Sequence, residues 1–146
     1  MIPKINYFFE DVRVFKYGLP PKKWLKFCLL KENKSLGVLN FIFCSDVRLQ
    51  NINKKYLKKS YFTDVISFKT EEPGFLKTQQ AEHVSGDVFI SVDRVRANAK
   101  TYKTIFAKEL KRVMIHGTLH LIGFKDASKK DKLTMRAKEN TYIQIS

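Results

Sequence analysis

Two of the chain's three histidines, His116 and His120, stand four residues apart in "VMIHGTLHLIGFKD" (113–126), a run that is otherwise almost wholly apolar. On an α-helix, residues four apart share a face with Cβ atoms about 5–6 Å apart, so two imidazoles can converge on one metal ion. A buried pair satisfied by backbone carbonyls is the plainer alternative. Each ring needs polar partners, however, and Val113, Ile115, Leu119, Leu121 and Ile122 supply none.

A metal needs a third ligand. A helix continued to residue 126 would carry that position about 240° around from His120, on the wrong face. Gly123 is well placed to end the helix in a left-handed cap and turn the chain back. Asp126 could then swing its carboxylate toward the imidazoles, with Ser128 competing to cap the next helix. Two nitrogens, from either ring nitrogen of His116 and from His120, plus one oxygen leave a fourth tetrahedral position open. That is the pattern of a catalytic zinc site. In the metalloprotease motif His-Glu-x-x-His the residue after the first histidine is the general base; here it is Gly117, which disfavours a peptidase.

The elements that must position these groups follow from periodicity. Residues 104–122 read as the strongest helix, and a last amphipathic helix spans about 128–143. Earlier helices are expected over 20–32, with Trp24, Phe27 and Cys28 on one face, and from the Ser45 cap onward, with Val47, Ile52 and Tyr56 inward. Another helix begins near Val92 and breaks near Thr101. Strands are expected at "KINYFF", at 37–44 after a turn at Gly37, at 64–68 and at 86–91. Between the last two, Pro73-Gly74 and a polar stretch containing His83 read as a loop. The sum is an α+β fold: a single domain over 1–146, with one small mixed sheet packed against helices.

Lys and Arg number 28 against 14 Asp and Glu, a net charge of +14 that favours polyanionic partners, although a lysine-biased genome gives the same balance. With only six arginines among the 28, phosphate tracking suits the chain better than base reading. Lys54, Lys55, Lys58 and Lys59 read as two i,i+4 like-charge pairs forming an RNA-facing stripe. Cys28 and Cys44 sit in apolar contexts as packing residues. No signal peptide or membrane-length apolar run is evident, so a cytoplasmic, monomeric protein is expected.

Three blocks then agree in order. "HGTLHLIGFKD" resembles the signature His-Gly-x-Leu-His-Leu-x-Gly-Tyr-Asp-His of the YbeY family of bacterial rRNA maturation factors. "INKKYLKKSYFTDVISF" resembles that family's Leu-Asn-x-x-Tyr-Arg segment ending in Thr-Asp-Val-Leu-Ser-Phe, and "GDVFIS" its Gly-Asp-Ile strand. The resemblance implies a metal-dependent, single-strand-directed endoribonuclease acting in 16S rRNA maturation and ribosome quality control. It also implies an α+β fold with the metal histidines on a central helix. Two positions depart from the pattern. Asp126 stands where the family has its third histidine, and Leu57 where it has an arginine proposed to hold phosphate. Lys58, Lys59 and Asp64 are the candidate catalytic groups, and slow intrinsic cleavage is expected unless one of the lysines or a partner supplies the missing charge. The competing readings are a non-catalytic, metal-stabilised rRNA-binding assembly factor and another metal-dependent hydrolase.

Overall fold

The structure is a computed structural model that describes residues 2–59, 63–70 and 82–146. Four strands form one mixed sheet in the order β1-β2-β4-β3: β1 (Lys4–Phe9), β2 (Lys34–Cys44), β3 (Val65–Lys69) and β4 (Glu82–Ser91). The pairs β1/β2 and β2/β4 are parallel, while β3 runs antiparallel to β4 at the edge. The helices are α1 (Lys22–Lys31), α2 (Asp46–Leu57), α3 (Val92–Thr101), α4 (Phe106–Leu121) and α5 (Lys129–Ile143). The expected α+β fold is therefore the observed one.

Because side chains alternate along a strand, the sheet has two distinct faces. Leu39, Phe41 and Phe43 of β2 and Val88 and Ile90 of β4 enter one large core with Trp24, Leu25, Leu110, Met114, Leu119 and Met135 from the helices. The intervening positions Cys44, Ile66, Phe68 and Phe89 join a smaller cluster with Leu49 and Ile52 of α2. Thus α4 lies on the larger core, on the opposite face of the sheet from α2. Both cysteines are buried and unpaired, and burial pushes each thiol up to about 12, which suits packing rather than chemistry.

Several inward assignments shift by one or two positions. On α1, Leu25 and Leu29 join Trp24 and Cys28 inside, while Phe27 is 41% exposed. On α2, Leu49 and Asn53 flank the buried Ile52, Val47 faces outward, and Tyr56, though exposed, sets its ring edge-on against Phe68 at 5.7 Å. Gly37 lies within β2, at a register shift between Leu36 and Leu39, and makes no turn. His83 belongs to β4 and meets Ser35 Oγ through Nδ1 at 2.9 Å, so it pairs with β2 and does not sit in a loop. The expected loop around Pro73 falls outside the described residues.

Candidate metal centre

The helix α4 is apolar on nearly every side because it runs between the sheet and its neighbouring helices. Leu110, Val113, Met114, Ile115, Leu119 and Leu121 are all buried. At Gly117 the helix lies almost flush against the sheet. A Cβ added there would stand 2.7 Å from Val88 Cγ1, 2.9 Å from Val65 Cγ2 and 3.0 Å from Ser67 Oγ. The Ser67 hydroxyl donates to the Gly117 carbonyl at 2.9 Å and fixes this close approach. His116 and His120 emerge half-buried, away from that contact.

Gly123 takes φ 104°, and the helix ends in a Schellman motif. The Gly123 N–H donates to the His120 carbonyl at 3.1 Å and the Phe124 N–H to the Leu119 carbonyl at 3.0 Å. The chain turns back as expected and brings Asp126 Oδ2 to 3.6 Å from His116 Nε2. Ser128 takes the capping role instead, forming a reciprocal capping box with Asp131 at the start of α5. Asp126 is thereby free of capping, its Oδ1 lies 3.6 Å from Lys132 Nζ, and ligand atoms of His116, His120 and Asp126 all lie within 4.8 Å of one another.

The ring nitrogens have separate tasks. His116 Nδ1 meets Glu139 Oε2 at 2.7 Å, and His120 Nδ1 meets the Phe124 carbonyl at 3.0 Å. Each Nδ1 therefore carries a hydrogen, and the two Nε2 atoms face each other at 3.0 Å. Two lone pairs that close repel unless a cation lies between them. Burial lowers the His116 pKa, but the hydrogen bond and charge of Glu139, with Asp64 and Asp126, more than offset this and raise it. Burial, and then the charge of His116, lower that of His120. The raised pKa of His116 favours a proton on its Nε2, placed to bridge the pair. Tetrahedral zinc with ligands about 2.0 Å away sets them about 3.3 Å apart, so the donor set fits a divalent ion in place of that proton.

Zinc binding is accordingly expected to release protons, and affinity to weaken as pH falls through the raised pKa of His116. Calorimetry in buffers of different ionisation enthalpy measures the released protons. A release of zero would remove the bridging-proton argument.

A cavity of about 320 Å³ opens beside the group, and His116, Asp126, Asp64, Arg112, Lys132, Arg136 and Glu139 are among its lining residues. Asp64 stands at the entry to β3, accepts from Asn98 Nδ2 at 3.3 Å, and has its pKa raised by burial. Lys58 and Lys59 are not among the lining residues. Lys58 caps α2 in a left-handed conformation with φ 54°, so the expected helical pairing of Lys54 with Lys58 and Lys55 with Lys59 does not form. All four lysines are exposed.

Reasoning from the sequence misses Glu139. It sits four residues after the buried Met135 and three before the buried Tyr142, within the apolar stripe of α5. A carboxylate in such a stripe is the signal that could have found it. Burial pushes its pKa up, but His116 and the guanidinium groups of Arg112 and Arg136 hold it below the usual carboxylate range.

Comparison with known proteins bears on the family of the chain. The family described as Endoribonuclease YbeY matches residues 10–145. A protein of that name from Karelsulcia muelleri is 44% identical over 139 residues, covering 95% of this chain and 93% of its own. Another from Flavobacterium psychrophilum is 45% identical over 122 residues, covering 84% and 81%. A Thermotoga maritima protein solved in solution has TM-score 0.57 at 23% identity over 97% of this chain and 87% of that one, a likeness of fold alone. With its family match running almost end to end, the chain belongs to the Endoribonuclease YbeY family.

Proposed function

We propose that this chain is a single-domain, zinc-dependent endoribonuclease that hydrolyses single-stranded RNA. Its substrate would be 16S rRNA on the ribosome, and its location the cytoplasm. The observation that carries the reading is the donor set of His116, His120 and Asp126, two of which, His116 and Asp126, line a cavity that also holds Arg112, Lys132 and Arg136 among carboxylates. Three ligands leave a coordination position for water or substrate, as catalytic zinc sites do. Zinc held there would supply Lewis acidity and would bring the pKa of a water molecule down to about 7.

The chain's own residues do the rest. Glu139 orients His116 from behind, and the Phe124 carbonyl does the same for His120. Asp64, with a carboxyl pKa raised by burial, suits a group that gives and takes a proton at the cavity wall. The exposed Lys54, Lys55, Lys58 and Lys59 offer point charges to the RNA backbone outside the cavity. No helix among the described residues is long and apolar enough to cross a membrane.

The test is His116→Ala beside wild type, with bound zinc and cleavage of a single-stranded RNA both measured. The variant is expected to lose both while keeping its fold by circular dichroism. Cleavage at the wild-type rate would sink the reading. Leu57 in place of the family's arginine favours one alternative, an assembly factor that binds rRNA without cutting it. Wild-type protein that binds zinc and RNA but leaves the RNA intact would establish that alternative.

A further inference from the structure

We propose that Arg136 is a catalytic residue of this site, its guanidinium contacting the phosphate to be cut in the cavity where His116 and Asp126 converge. The proposal rests on the endoribonuclease reading and names the cation that the reaction uses. Lys132, Met135, Arg136 and Glu139 follow one another at the i, i+3, i+4, i+7 spacing of a single helix face, and all four line the cavity. Glu139 locks that face to His116 through the 2.7 Å contact, so Arg136 is held less than one turn from the residue that orients a metal ligand.

The other cations of the cavity are already engaged. Arg112, with its side chain 18% exposed, donates to Glu139 Oε1 at 3.1 Å and lies 3.9 Å from Glu109. Lys132 donates to the Asp126 carbonyl at 3.0 Å and so braces the turn that carries the third ligand. Arg136 is 56% exposed and approaches Glu139 Oε1 only at 3.9 Å, beyond hydrogen-bond distance. Its planar fork is therefore available to two phosphate oxygens at once, which a lysine cannot match.

In hydrolysis, a bond from water oxygen to phosphorus forms as the bond to one ribose oxygen breaks, and a proton passes to the leaving oxygen. Negative charge accumulates meanwhile on the nonbridging oxygens, and no electron is gained or lost. A guanidinium already in place at those oxygens stabilises that state more than the ground state. Lys58 and Lys59, outside the cavity lining, serve binding instead.

The experiment uses the zinc-loaded full chain with a saturating single-stranded RNA decamer, under single turnover. Arg136→Gln is expected to slow cleavage by roughly 10²-fold. Zinc affinity should be unchanged, and Arg136→Lys should recover part of the rate. Inorganic phosphate, titrated by phosphorus NMR, should bind Arg136→Gln about tenfold more weakly than wild type. An unchanged rate for Arg136→Gln overturns the proposal. So does a rate that falls only in parallel with zinc affinity, which would make Arg136 a prop for Glu139. Should wild type bind zinc yet cut no RNA, the endoribonuclease reading fails by itself. The phosphate titration then decides for Arg136, and equal affinities overturn it.

Discussion

Alanine in place of Glu139 is expected to weaken zinc binding by about 10–100-fold and to lower the unfolding free energy by about 3–5 kcal/mol. The two effects have different origins. The carboxylate fixes the tautomer and the direction of His116, so its loss lets the ring turn and spoils the donor set. It is also a buried counter-charge, 6% exposed, for Arg112 and for His116. Removing it leaves a guanidinium in a low-dielectric place without its partner. Glu139→Gln separates the effects, because an amide oxygen still accepts from Nδ1 while the charge is gone. Chelator competition reports the first effect and urea unfolding of the zinc-free protein the second.

The pH dependence of that stability carries a definite sign. The depressed pKa of Glu139 gives stability present above its unfolded value and lost as pH falls through the folded one. The raised pKa of His116 gives stability fully present below its unfolded value and lost as pH rises through the folded one. The difference between zinc-free wild type and Glu139→Gln should therefore be greatest between about pH 4.3 and 6.5, the two unperturbed values. Zinc affinity in Glu139→Ala equal to that of wild type would show that His116 needs no such support.

Gly117→Glu, which writes a His-Glu-x-x-His sequence into α4, is expected to unfold the protein rather than create a peptidase. Even the Cβ would press on Val88 and Val65, and overpacking of this kind costs about 1–3 kcal/mol. The carboxylate would add the burial of an unpaired charge against two valines, several kcal/mol more. Together these approach the whole stability of an ordinary domain, about 5–15 kcal/mol. Thermal melts of Gly117→Ala and Gly117→Glu check this, with the alanine variant folded at a lower Tm. A glutamate variant melting like wild type would mean that α4 can lift off the sheet at little cost.

The histidine pair, the Gly123 turn and the freeing of Asp126 by Ser128 are legible in the sequence because each depends on a few neighbouring residues. Capping chemistry and helix periodicity act within a turn or two, and both point to the right positions. Glu139 escapes such reading because its partner His116 lies on another helix, 23 residues away, and nothing local points across that gap. Spacing alone places Val47 and Tyr56 inward on α2. The sheet takes Leu49 beside the expected Ile52, because the face of α2 that meets the smaller cluster is set by packing on β3 and β4, distant in sequence. Lys58 reads as helical because lysine favours helices, whereas the helix has already ended at Leu57. The four strands can be located, but their order cannot be read, because pairing is decided by contacts distant in sequence.

Trp24, the only tryptophan in the chain, is fully buried and donates its indole N–H to the Tyr142 carbonyl of α5 at 2.8 Å. The molecule thus carries a built-in optical gauge on the helix that supplies both Glu139 and Arg136. While α5 stays docked, the indole is dry and its emission lies toward the blue. When that helix loosens, water reaches the ring and the emission moves red, even if the sheet remains intact. Tryptophan emission followed beside far-ultraviolet dichroism therefore distinguishes a site that has come apart locally from a chain that has unfolded. Any variant of the metal centre can be sorted in this way before its activity is interpreted.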